Sequence, residues 1–193
     1  MSIQSPDSKY RQTERAIEQA YLALCLEQGR LDVTVSEVVS RAGIGRSTFY
    51  LHFNDVDGLA AAIQERLLAT AEAHLALAFP DVLAHGPEAL PRYFDPVAQL
   101  LAQNRRALLV FMGRNGSPAF IYRVKQRGKV YLRRLFAGRA DERTEYVIEY
   151  MVSAGMGLII YWLEDDMALP YETLLALLGT ILFRGPLAAG FAQ

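Results

Sequence analysis

The sequence predicts an all-α protein, and three observations carry that prediction. Apolar residues recur at three- and four-residue spacing through nearly the whole chain. No two alternating apolar runs are joined by a short Gly or Asn turn, so hairpins are not expected. Glycines and prolines cluster between the periodic stretches and cut the chain into helix-length segments.

The first helix is expected over 12–28, with Ile17, Ala20, Tyr21 and Leu24 on one buried face and Gly29 as its stop. Thr34-Val35-Ser36-Glu37 then reads as a capping box. The Thr34 hydroxyl accepts from the Glu37 amide, and the Glu37 carboxylate accepts from the Thr34 amide. The short helix opened there buries Val35, Val38, Val39 and Ala42, and Gly43-Ile44-Gly45 forms a turn. A third short helix holds residues 46–51, and Asn54 or Asp55 caps a fourth running to about residue 79.

Residues 80–96 carry five glycines or prolines, with Pro87 at a possible helix start and Asp95-Pro96 as either a cap or a kink. A second punctuated loop, 113–118, ends with Ser117 capping and Pro118 opening a basic helix to about residue 137. Helices near 142–164 and 170–184 close the pattern, ended by Gly185-Pro186. A natural division is a head over 1–54 and a bundle over 55–193.

With 193 residues, 52% of them hydrophobic, the chain has enough apolar material for such a core. The longest apolar run, 151–163, holds Gly155 and Gly157 and ends at Glu164-Asp165-Asp166, which reads as a solvated turn. No apolar run reaches spanning length unbroken, and no leader is expected, so a cytoplasmic protein without a membrane partner is the reading. The single cysteine, Cys25, fits a buried structural thiol in a reducing compartment.

Net charge is −1, which argues against a protein that coats nucleic acid. Residues 1–66 hold seven Lys/Arg against nine Asp/Glu, whereas 92–143 hold twelve against three. A DNA reader in the head must therefore work through a few placed contacts. No phosphate-binding glycine loop, nucleophile elbow or catalytic carboxylate pair occurs, and His74 and His85 lack partners at metal spacing. Neither an enzyme nor a metal or other cofactor is expected.

Two short helices joined through Gly43 make a helix-turn-helix, which projects its second helix into a major groove. On that helix Phe49 faces inward, and Arg46, Ser47, Thr48, Tyr50 and His52 are left outside as donors and acceptors for bases and phosphates. Residues 15–63 as one run resemble the DNA-binding domain of the tetracycline-repressor (TetR) family. The likeness rests on Thr34-Val35, Val38-Val39, Arg41-Ala42-Gly43-Ile44, Thr48-Phe49-Tyr50-Leu51-His52-Phe53 and Leu59. It implies a transcriptional repressor that binds a double-stranded DNA operator as a homodimer and is released by a small-molecule effector of unknown identity. It further implies phosphate contacts from Thr34, Ser36, Tyr50 and His52, and base-edge or mixed contacts from Arg46, Ser47 and Thr48. The family's lysine at the start of the fourth helix is replaced here by Asn54-Asp55-Val56-Asp57, which implies either a modest affinity or Lys9, Arg11 and Arg15 as substitute cations.

Beyond the head, the likeness lies only in length, helical pattern and the closing helix pair. An effector pocket is expected among Phe111, Met112, Phe120, Tyr122, Met151 and Trp162, with Met and aromatic side chains repacking around an apolar ligand. A dimer face is expected from Tyr146, Tyr150, Ala154, Leu158, Leu174, Leu178 and Ile181, a stripe on helices apolar nearly all round. Gly155 and Gly157 fit close approach of a helix or a ligand. For the basic helix, Arg123 to Arg139, the simplest account is a solvated face; the other is an arginine turned toward an anionic effector or acidic partner. Two further functions stay open: a same-fold DNA-binding protein without a ligand, and a small-molecule binding module that has lost DNA binding.

Overall fold

The computed structural model describes residues 6–85, 89, 92, 94–137 and 141–185. Gly86, Pro87, Pro91, Arg139 and Pro186 lie outside the described residues. The elements are α1 Pro6–Gln28, α2 Val35–Ala42, α3 Arg46–Tyr50, α4 Val56–His85, α5 Phe94–Gln103, α6 Arg105–Met112, α7 Pro118–Leu135, α8 Thr144–Glu164 and α9 Tyr171–Arg184. Among the described residues there is no strand.

Local chemistry explains most boundaries. The capping box opens α2, with Glu37 N–H donating to Thr34 Oγ1 at 3.3 Å and Thr34 N–H donating to Glu37 Oε2 at 2.6 Å. Gly43 closes α2 at φ +67, a left-handed conformation that glycine adopts without steric cost. Asp55 starts α4 by accepting from the Gly58 amide at 2.6 Å, and Ser117 caps α7 with Pro118 at its first turn.

Two boundaries differ from expectation. α1 begins six residues before the expected residue 12, and α4 runs through Pro80 to His85 instead of ending near 79. Proline removes one backbone donor and crowds the preceding turn, yet α4 continues past it, and its tertiary packing against α5 and α7 accompanies that continuity. α5 carries Pro96 in its first turn, where the missing N–H has no intrahelical partner to lose.

The head and the bundle share one core. Ile17, Tyr21, Leu24 (α1), Val38 (α2), Phe49 (α3), Leu59, Ile63 (α4), Phe111 (α6) and Phe120 (α7) form a continuous buried cluster. A second cluster gathers Trp162 and Leu163 at the end of α8 with Tyr171, Leu174 and Leu178 of α9, packed on α5. The Trp162 indole donates to the Leu169 carbonyl at 2.7 Å, holding the α8–α9 turn, in which Asp166 and Met167 have positive φ.

The basic helix is not a free solvated face. Arg123 and Arg127 pair with Glu65 and Glu72 of α4, while Lys125 and Lys129 both pair with Glu149 of α8, and Arg133 pairs with Glu145. α7 is thus stapled to both neighbours. α8 itself is 21 residues long and, by length and composition alone, apolar enough to cross a membrane, although Glu149 and Glu164 interrupt its apolar run. Its Ile148, Met151, Trp162 and Leu163 are nonetheless buried within the chain, as in a bundle helix.

The Lys125 ammonium, then Lys129 and the Ser153 hydroxyl, hold the Glu149 carboxyl down to about 2 from 4.5. A depressed carboxylate adds stability that is present above the unfolded value and is lost as pH falls through the folded one. Glu149→Gln should therefore melt below wild type at pH 7. The gap should close as pH drops from 4.5 toward 2, as read by circular dichroism melts across that range.

Candidate nucleic-acid interface

The interface is built around Phe49. Its side chain is fully buried, 6.0 Å from the Phe53 ring and 5.6 Å from the Tyr50 ring. Anchoring one side of a single-turn helix leaves the other side facing out. Arg46, Ser47 and Tyr50 are exposed, Tyr50 by 55%, and Thr48 is half-buried. Thr34 and Ser36 are exposed at the start of α2. The Arg46 guanidinium donates to Ser36 Oγ at 2.5 Å, so two of the expected contacts hold each other across the α2–α3 corner. Thr34 Oγ1 is engaged in the cap, donating to Glu37 Oε2 at 2.7 Å.

His52 departs from the expectation that it lies outside. Its ring stacks on Tyr10 of α1 at 4.0 Å, is half-buried, and its Nδ1 is buried without a hydrogen-bond partner. Tyr10 O–H donates to the Leu51 carbonyl at 3.4 Å, closing the end of α3 against α1. Tyr10 precedes the expected start of α1 at residue 12; the helical register from Tyr10 to Ile17 and Tyr21 is the sequence signal for it. Lys9, Arg11 and Arg15 are exposed on the same helix.

α2 and α1 are tied by ion pairs. Arg41 forms a two-pronged pair with Glu27 at 2.7 and 2.5 Å, and Arg30 pairs with Glu37 at 2.8 Å. The Thr34 backbone amide first, then its hydroxyl and the Gln28 amide, hold the Glu37 carboxyl down to about 2. The reading unit is therefore a fixed body that presents its outer side chains together.

The six residues expected to line a pocket are not brought together. Phe111 and Phe120 lie in the shared core, 5.6 Å apart, with Tyr21 stacked on Phe111. Trp162 sits in the second cluster beside Tyr171. Tyr122 is 63% exposed on α7. Met112, of the same core, and Met151 line an apolar cavity of about 220 Å3 between α4, α7 and α8 that also touches Leu68, Met156 and Ile159.

The expected dimer residues divide as well. Tyr146 and Tyr150 are exposed, the first by 80%, and Ala154, Leu158 and Ile181 are half-buried. Leu174 and Leu178 are instead buried within the one chain, packed against α5 and α8, and have no area to offer a partner. Tyr161, 67% exposed, continues the outer stripe of α8. Gly157 opens onto free space on that stripe, whereas Gly155 borders the apolar cavity and Leu178.

Comparison with known proteins agrees with this geometry. Residues 19–63 match the family described as bacterial regulatory proteins, tetR family. Residues 88–184 match that described as transcriptional regulator C-terminal region, of the same family. The chain is similar in fold to a fatty acid degradation regulator, FadR, from Bacillus halodurans, at 16% identity and a TM-score of 0.62 over 94% of this chain and 96% of that one. No curated protein matches the sequence. With a helix-turn-helix at one end and the regulatory region matched over half its length at the other, the chain belongs to the TetR family of transcriptional regulators.

Proposed function

We propose that this protein is a homodimeric, cytoplasmic transcriptional repressor that holds a DNA operator through residues 1–54 and releases it when a small apolar effector enters residues 55–193. The observation that carries the DNA reading is the two-sidedness of α3. Phe49 takes the inner side wholly, and Arg46, Ser47 and Tyr50 are exposed on the outer side, with Arg46 held by Ser36. An arginine offers a two-pronged contact to a guanine edge, and hydroxyls fix the register through phosphates. Thr34, Ser36, Thr48 and His52 complete the proposed contact set; His52 acts from beneath Tyr10, which sets the end of α3. No enzymatic role is assigned.

Arg46→Ala and Tyr50→Ala should each weaken binding to the protein's own upstream DNA by about 1–3 kcal/mol. Both side chains are exposed, so the thermal midpoint should not move. Gel-shift titration at two salt concentrations checks this, and full affinity in both variants would end the assignment of α3 as the reader.

The dimer face proposed is the outer stripe of α8, Tyr146, Tyr150, Ala154, Leu158 and Tyr161, continued by Ile181 of α9. Large apolar side chains left outside a single chain mark an association surface, and a twofold pairing of helix pairs gives a four-helix bundle. Two reading helices then meet half-sites about one DNA turn apart. Tyr150→Glu and Ala154→Asp should give folded monomers in sedimentation, whereas Leu178→Glu should lose the fold, since its side chain is internal.

The effector site proposed is the apolar cavity at Met112, Met151 and Met156. Its volume is below the roughly 300–1,000 Å3 typical of ligand pockets, and methionines supply the adaptability to enlarge it. Ala71→Leu, which fills the cavity wall, should leave operator binding intact and abolish release by apolar compounds that act on wild type. Release of the variant at wild-type concentrations would move the effector elsewhere.

A further inference from the structure

A cleft of about 410 Å3 lies where α1, α4 and the α5–α6 turn meet, separate from the apolar cavity. Its charged side chains are Arg66, Arg105, Arg106 and Glu18, three guanidiniums against one carboxylate. Glu18 is buried and fully engaged by Arg66, through paired bonds of 2.5 and 2.7 Å. That bridge consumes two of the five donors of Arg66, whose side chain lines the cleft. Arg105 spends one nitrogen on the Leu163 carbonyl and on Asp166, both at 2.9 Å, while its Nε is buried with no partner. Arg106 has no hydrogen bond or ion pair among the described residues, and the same holds for the side chains of Gln19 and Gln103, which also line the cleft.

The placement of the two arginines is electrostatically costly. Arg105 and Arg106 occupy the first turn of α6, where the helix dipole disfavours cations. Asn104, which precedes them, turns its side-chain amide back to the Leu100 carbonyl and does not cap the helix. Along α7, by contrast, Arg123, Lys125, Arg127, Lys129 and Arg133 are each answered with a carboxylate. Here three guanidiniums line one cleft, Arg66 and Arg105 are each met by one carboxylate, and Arg106 is met by none. A local rule broken in this way is expected at a functional site.

We propose that this cleft binds a compact multivalent anion, a small molecule carrying two or more carboxylate or phosphate charges. Arg106, the Arg105 guanidinium and the remaining donors of Arg66 bind it, and Gln19 and Gln103 orient it. Glu18 is a positioning residue that holds Arg66. An anion seated there joins α1 of the head to α4 and α6 of the bundle, so its occupancy and the head's position are linked. The site stands independently of the operator and effector assignments, because it uses none of their residues.

The test is thermal unfolding of the full chain with sodium citrate or sodium pyrophosphate, each against sodium chloride at equal ionic strength. Citrate represents carboxylate ligands and pyrophosphate phosphate ligands. At 5 mM, at least one should raise the midpoint by several degrees over chloride, and Arg106→Gln should remove most of that rise. Without added anion, Arg106→Gln should melt at or above wild type, because it removes a cation from a helix start. Arg114→Gln, an exposed arginine outside the cleft, should keep the full response. Calorimetric titration should give one site per chain in wild type and a tenfold or greater loss of affinity in Arg106→Gln. No rise beyond chloride with either anion, or the same rise in Arg106→Gln as in wild type, would overturn the proposal.

Discussion

Tyr21 of α1 stacks on Phe111 of α6 with ring centroids 6.3 Å apart, and Phe111 in turn meets Phe120 of α7. All three rings are fully buried. This contact makes α1 belong to the head and the bundle at once. Burying three aromatics in one cluster contributes on the order of several kcal/mol, so the head cannot swing away from α6 without losing a large part of the stability of a typical domain. Burial also pushes the Tyr21 hydroxyl well above its ordinary titration range, which keeps the ring neutral at any working pH. Whatever moves α6 or α7 is therefore felt at α1, and α1 carries both the Tyr10 stack on the reading unit and the Glu18 bridge to α4.

Charge is used differently on the two sides of the molecule. Along α7 every paired cation is spent on holding neighbouring helices, which explains how a strongly basic segment coexists with a net charge near zero. Exposed ion pairs are individually weak, but Glu149 receives two ammonium groups and a hydroxyl, and such a cluster fixes one relative position of α7 and α8. In the head the ion pairs run instead between α1 and α2, leaving the outer face of α3 clear. The acidic start of α4 acts in the same sense: Asp55 is occupied as a helix cap, so its carboxylate has a structural use where a DNA-facing lysine would otherwise be expected.

What the sequence made legible was local. The capping box, the Gly43 turn, the Asp55 start and the buried side of α3 each follow from residues within one or two turns of one another. The core face of α1 was legible for the same reason. What escaped were the long-range facts. The stack of Tyr10 on His52 depends on a contact 42 positions apart, and the partners of α7 lie on helices some 60 residues before it and 20 after it. Leu174 and Tyr161 look alike as apolar residues on apolar helices, and only the position of α5 decides that the first is internal and the second external. Pro80 misled for a related reason, since a local cost read without its tertiary setting suggests a helix end.

α8 then emerges as the element through which the two clusters communicate. Met156 and Ile160 pack against the shared core, Leu158 and Ile159 pack against the Trp162 cluster, and the apolar cavity opens at the seam between them. A ligand at that seam presses on a helix whose outer face carries the tyrosine stripe. Close-packed interiors do not deform continuously; they shift between discrete packings. On the proposed dimer, a small displacement of α8 would become a rotation of the partner across the stripe, and through α6 and Tyr21 a displacement of α1. The methionines around the cavity lower the cost of the alternative packing, and the glycines on α8 remove side chains where the helix faces the cavity and the stripe. The proposed sensing would need no hinge loop, because the two cores and the helix between them already supply two bodies and a lever.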